Sequence, residues 1–136
     1  MESEKPCLVL IAEDAASSEE SAETVLTHEG YVSASFRDSY RALEYLSINA
    51  DRVDLIIIDA DLPGVGAIET ARKAVAMNPH VSIILLYSQP EKDPQPQSPP
   101  NIRFALQKPV SEGDLLRAVG TVIKECGLLP ERRRYP

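Results

Sequence analysis

Two short runs of apolar residues, each ending abruptly in carboxylates, constrain this chain more than anything else in it. Cys7-Leu8-Val9-Leu10-Ile11-Ala12 runs into Glu13-Asp14, and Leu55-Ile56-Ile57-Ile58 runs into Asp59. Runs of that length and composition are too short for buried helices and fit strands covered on both faces, as in a parallel sheet. Between and after them lie helical patterns. Ser17-Ser18-Glu19-Glu20 reads as a helix start with Ser17 as cap, followed by Ala22, Val25 and Leu26 on one face and Gly30 as a stop. Tyr31–Phe36 alternates as a second strand, and Asp38 or Ser39 caps a second helix with Leu43 and Leu46 inward. After the turn Leu62-Pro63-Gly64, a third helix is expected from about Gly66 to Met77, with Ile68, Ala71 and Val75 inward, stopped by Asn78-Pro79.

Val81–Tyr87 and Ile102–Gln107 read as the fourth and fifth strands. The last helix opens at Ser111 with a capping box, carries Leu115, Leu116, Val119, Val122 and Ile123 on one face, and stops at Gly127. Strands alternating with helices imply right-handed βαβ units in a doubly wound α/β domain. One stretch breaks the rhythm. Gln89–Asn101 contains Pro90, Pro94, Pro96, Pro99 and Pro100, a spacing through which no helix runs, so a proline-rich loop is expected there.

Composition narrows the function classes. The chain has 136 residues, room for one ordinary domain, and its 43% hydrophobic and 26% charged content is that of a soluble globular protein. A net charge of −7 argues against nucleic acid or an anionic membrane as the main partner. The run Arg132-Arg133-Arg134 reads as solvated, within a basic C-terminal tail spanning 127–136 that follows a core of about 6–126. No apolar run approaches the roughly 20 residues of a membrane span, and the acidic start MESEKP is unlike a signal peptide. The two cysteines, Cys7 and Cys126, form no zinc or disulfide framework, so a cytoplasmic protein with reduced thiols is expected. Both should lie toward the end of the sheet opposite the site, with no redox role. His28 and His80 flank helix ends, and no chemistry is assigned to them.

In open α/β sheets the site lies beyond the carboxyl ends of the strands. Glu13-Asp14, Asp59 and Lys108 come from three strands and all fall there. Two carboxylates about 5 Å apart repel by roughly 3 kcal/mol at an effective dielectric near 20. A hard divalent ion relieves this, and Mg²⁺ suits a few carboxylates with waters and phosphate oxygens. Asp59 is then the candidate nucleophile toward a phosphoryl group, with the metal and the Lys108 ammonium neutralising the transferring oxygens.

The acidic pair in LIAED, the segment DLIIIDADLPG and the QKP of FALQKPV, in that order and spacing, resemble the receiver domain of two-component response regulators over about residues 6–126. The resemblance implies a five-stranded flavodoxin-like sheet in the order 2-1-3-4-5. It implies Mg²⁺ near Glu13, Asp14 and Asp59, with the Asp61 backbone carbonyl on the metal. Asp59 would take a phosphoryl group from the phosphohistidine of a histidine kinase or phosphotransfer protein. Lys108 would contact that group, and the Lys108–Pro109 bond would be cis. The chain departs from the family pattern in four places. Tyr87, with Ser88 next, stands where a small hydroxyl residue is expected, and Ala105, beside Phe104, replaces an aromatic. The proline-rich stretch stands in place of the family's fourth helix, and Gly66-Ala67 stands where Asp-Gly is common. Ser88 and Tyr87 are the candidates for the hydroxyl.

The reading is therefore a stand-alone phosphoacceptor of a phosphorelay and not a turnover enzyme, its output being a protein contact or phosphate buffering. The alternative is a non-phosphorylated pseudo-receiver that binds a protein. A small aspartyl-nucleophile hydrolase would need a second catalytic acid and a substrate cap, and neither is evident.

Overall fold

The apolar runs become the central strands of a parallel sheet. In the computed structural model, which describes residues 6–14, 21–62, 64–88, 99–125 and 129–130, ten elements follow in chain order. They are β1 (Pro6–Ala12), α1 (Ala22–His28), β2 (Ser33–Phe36), α2 (Ser39–Asn49), β3 (Val53–Asp59), α3 (Ala67–Met77), β4 (Ser82–Tyr87), β5 (Ile102–Gln107), α4 (Glu112–Glu125) and β6 (Leu129–Pro130). The main sheet runs β2-β1-β3-β4-β5, all parallel, the order that the sequence resemblance implied. The short β6 pairs in parallel with the start of β1, Leu129 opposite Pro6 and Pro130 opposite Cys7. Leu129 and Pro130 lie within the C-terminal stretch 127–136, outside the core of about 6–126 read from the sequence.

Strand alternation divides the core into two layers. Val9, Ile11, Leu55, Ile57, Ile84 and Leu86 face α1 and α4. Leu10, Ala12, Ile56, Ile58, Ile83 and Leu85 face α2 and α3. Every one of these side chains is nearly or wholly buried, each worth about 1.5–3 kcal/mol for the larger aliphatics.

The helices follow from local chemistry. Asp38 caps α2, its carboxylate accepting the Arg41 N–H at 2.8 Å. Ser111 Oγ accepts the Asp114 N–H at the start of α4. The described part of α1 begins one residue after Ser21, whose Oγ accepts the Thr24 N–H. The cap assigned to Ser17 and Glu20 lies outside the described residues. On α3 the expected inward set is right for Ala71, and the other positions differ in degree. Thr70, Ala71 and Ala74 are buried, whereas Ile68 and Val75 are half-buried. The small buried residues lie where α3 packs beside α2, and Val75 packs partly buried against the same core layer. Asn78 ends α3 and its side-chain amide donates to the Ala50 and Val53 carbonyls and to Asp54, tying the helix to the start of β3.

Between β4 and β5, residues 89–98 lie outside the described residues, so the expected proline-rich loop is described only from Pro99 to Asn101. The Cys7 side chain, Cys126, Gly127 and the Arg132-Arg133-Arg134 run also lie outside them. Among the described residues, no helix is long and apolar enough to cross a membrane.

The loop between β3 and α3 is fastened to α2. Ser39, 1% exposed, accepts the Val65 N–H at 2.6 Å and donates its hydroxyl to the Val65 carbonyl at 3.0 Å. Gly64 has φ +107°, and a Cβ there would lie 2.6 Å from Ser39 Oγ and 3.3 Å from the Tyr40 ring. Gly64→Ala therefore combines a left-handed backbone with a steric clash at a hydroxyl already held on both sides. We expect it to destabilise the protein by about 1–3 kcal/mol, read as a fall in midpoint on urea unfolding. A midpoint equal to wild type would show that the loop relaxes freely.

Candidate functional site

The strand ends stop in register. Ala12 pairs with Ile58, Asp59 with Leu86, and Tyr87 with Gln107. Backbone bonds then carry the ladder one residue further: Glu13 N–H to Phe36, Ala60 N–H to Leu86, and Lys108 N–H to Tyr87. Glu13, Asp59 and Lys108 are thus placed by the sheet itself and reach one cavity of about 400 Å³, which Asp14 also lines. The Lys108–Pro109 peptide is cis.

Asp59 lies at the cavity, 7% exposed. Lys108 Nζ donates to both of its oxygens, at 2.8 and 2.9 Å. The Asp61 N–H donates to Asp59 Oδ1 at 2.8 Å, and the Leu62 N–H closes a turn onto the Asp59 carbonyl. The same ammonium sits 3.0 Å from Asp61 Oδ2, which also accepts the Ser88 hydroxyl at 2.7 Å. Partial burial alone would push the Lys108 pKa down. Its hydrogen bonds to Asp59 and Asp61, with the charges of both, outweigh that and hold it above its ordinary value.

Glu13 also serves the start of α1. Its two oxygens accept the N–H groups of Ala22 and Glu23, at 3.1 and 3.0 Å. With Ser21 serving Thr24, the first three N–H groups of α1 have partners, which a helix start lacks by itself. Burial raises the Glu13 pKa, the two N–H groups offset part of this, and the charges of Asp59 and Glu23 push it further up. Asp14, next along the chain, is exposed.

The structure thus brings Glu13, Asp14, Asp59 and Lys108 to one cavity and sets Asp61 and Ser88 against Lys108. It does not bring Tyr87 there. Tyr87 is half-buried, does not line the cavity, and by alternation with Ile83 and Leu85 falls on the α2–α3 side of the sheet, where Ala105 also packs. Asp61 was expected to act through its backbone carbonyl, and its carboxylate is the part engaged here.

Among the described residues no three His, Cys, Asp or Glu side chains close around a common point as a metal would require. The reason is visible in the bonds above: Glu13 is turned to α1 and Asp59 to Lys108. The donor set nevertheless fits a hard cation, since Glu13, Asp14 and Asp59 offer only carboxylate oxygens and line the same open cavity.

A family profile of the response regulator receiver domain matches residues 9–120. Among solved structures, a receiver domain from Clostridium thermocellum superposes with a TM-score of 0.74 at 20% identity, covering 88% of this chain and 95% of that one. A CheY-like receiver from Methanospirillum hungatei JF-1 gives 0.72 at 21% identity, covering 90% and 97%. The chemotaxis response regulator CheY4 of Vibrio cholerae gives 0.69 at 22%, covering 87% and 99%. No curated protein matches the chain. With the strand order, the acid-bearing strand ends and the cis peptide after Lys108 all in place, the chain belongs to the response regulator receiver domain family of two-component signalling.

Proposed function

We propose that the protein is a phosphoacceptor that takes a phosphoryl group on Asp59 from the phosphohistidine of a histidine kinase or phosphotransfer protein, in the cytoplasm. The observation that carries this reading is a carboxylate only 7% exposed, beside an open cavity, with a lysine on both its oxygens. Receiver domains are phosphoacceptors rather than turnover enzymes, and this arrangement suits one transfer.

In that transfer one Asp59 oxygen attacks phosphorus, and a new O–P bond forms as the P–N bond to the donor imidazole breaks. The leaving nitrogen keeps the electron pair. Asp61 N–H and the Leu62 turn hold the attacking carboxylate in place. Lys108, relieved of one Asp59 oxygen, is within reach of the oxygens of the transferred group, where its charge counts most. Mg²⁺ would be held by Asp14, Asp59 and the Asp61 backbone carbonyl, with Glu13 nearby, and would supply charge neutralisation at the phosphoryl oxygens.

The test is incubation with acetyl phosphate, with and without Mg²⁺, followed by intact mass. We expect one added phosphoryl group, and only with the metal. Absence of uptake would favour a non-phosphorylated binding module instead. Asp14→Ala should weaken Mg²⁺ binding by roughly tenfold or more, as losses around a metal do. Unchanged affinity on titration would remove Asp14 from the metal.

A further inference from the structure

One carboxylate engages both the Ser88 hydroxyl and the Lys108 ammonium, the ammonium that also holds both Asp59 oxygens. Asp61 Oδ2 accepts the Ser88 hydroxyl at 2.7 Å and lies 3.0 Å from Lys108 Nζ. A serine has one O–H to donate, so while Asp61 holds it Ser88 has none for a phosphoryl oxygen. An ammonium has three protons, and here its near neighbours are the two Asp59 oxygens and Asp61 Oδ2. We propose that the Asp61 carboxylate is a built-in occupant of this oxyanion-binding pair, a brake that must be displaced before a phosphoryl group on Asp59 gains the Ser88 hydroxyl and the full Lys108 charge. The proposal rests on the reading of Asp59 as phosphoacceptor.

Two physical terms act in the same direction. The incoming group must break a charge-assisted hydrogen bond from Ser88. It must also bring its own negative charge up to a carboxylate already resting on the same cation. Exposure keeps both terms moderate. The Asp61 side chain is 27% exposed and that of Lys108 31%, and Ser88 is exposed, so water can replace each bond as it breaks. The result is a brake rather than a block. Asp61 acts through Lys108 and Ser88 and is a positioning residue. Its backbone N–H, which holds Asp59, survives any side-chain replacement.

The experiment compares initial rates of phosphoryl uptake from acetyl phosphate with Mg²⁺, read by intact mass, for wild type, Asp61→Ala, Ser88→Ala and the double variant. Loss of one screened charge contact and one competing hydrogen bond should speed Asp61→Ala by about tenfold over wild type. Against a Ser88→Ala background the gain from Asp61→Ala should shrink, because no hydroxyl is left to release. A merely structural role for Asp61 would not give that dependence on Ser88. Uptake by wild type with an equal or slower rate for Asp61→Ala overturns the brake and leaves the phosphoacceptor reading standing. Uptake by none of the four proteins overturns that reading and the brake with it.

Discussion

Replacing Asp59 by Asn is expected to abolish phosphoryl uptake while leaving the protein folded. An amide is no nucleophile toward phosphorus, and no other described carboxylate is held in the same way, by a lysine on both oxygens and a backbone N–H on one. The amide has the shape of the carboxylate, and its oxygen can still accept from the Asp61 N–H. Lys108 keeps Asp61 as a partner. One carboxylate also leaves the neighbourhood of Glu13, whose raised pKa owes part of its shift to the Asp59 charge, after burial. The sign of the stability change follows. A carboxyl whose folded pKa lies above the unfolded value of 4.5 binds more protons in the native state, so stability falls as pH rises from about 4.5 through the folded value. In Asp59→Asn that fall should be shallower, and stability near neutrality should equal or exceed that of wild type. Intact mass after acetyl phosphate treatment reads the first expectation, and unfolding midpoints from pH 4 upward, at about half-unit steps, read the second. Labelling that persists on the variant would move the acceptor elsewhere.

How much of this was legible beforehand depends on whether a residue acts along its own strand or across the fold. Ala12, Ile58 and Gln107 sit where the apolar runs end, so the placing of Glu13, Asp59 and Lys108 at one sheet edge could be read from pattern alone. The helix caps at Asp38 and Ser111 are local and were equally readable. The Glu13 bonds were not, because their donors, Ala22 and Glu23, lie nine and ten residues on, across a connection whose path no periodicity encodes. The Asp61 carboxylate was missed for the same reason: its partners arrive from β4 and β5, 27 residues away in the case of Ser88. On α3 the helix and its inward Ala71 were legible, and the burial of Thr70 and Ala74 beside it was not. Ile68 and Val75 outrank Thr70 and Ala74 in hydrophobicity, yet it is Thr70 and Ala74 that are fully buried, on a helix packed beside α2. Tyr87 illustrates the limit of a family pattern. It occupies a site position in sequence, but strand alternation turns it to the α2–α3 side, and the following Ser88 supplies the hydroxyl at Lys108's neighbour Asp61.

Lys108→Met should have the broadest effect of any single change, because one ammonium serves Asp59 and Asp61 together. Methionine preserves the length and apolar stem of lysine and deletes only the charge. For uptake, the loss of a cation aimed at the transferring oxygens should slow phosphorylation by about 10²–10³-fold, the range seen when one preorganised stabilising group is removed. For stability the pair must be discounted, since the lysine side chain is 31% exposed, and a loss of about 1 kcal/mol at neutral pH is expected. The pH dependence has a definite sign. The folded pKa of Lys108 is raised above its ordinary 10.5, so its contribution is complete below about 10.5 and disappears as pH climbs through the folded value. Wild type should therefore lose this contribution only on the alkaline limb, whereas Lys108→Met lacks it throughout and shows a flatter limb there. The metal gives an independent readout. Without Lys108, the carboxylates at the cavity have lost the cation that separates them, and a divalent ion that binds the native state stabilises it by mass action. Added Mg²⁺ should then raise the unfolding midpoint of Lys108→Met more than that of wild type. Equal shifts would mean that lysine and metal do not answer to the same carboxylates. Uptake at the wild-type rate would mean that Lys108 only holds the resting site together and takes no part in the transfer.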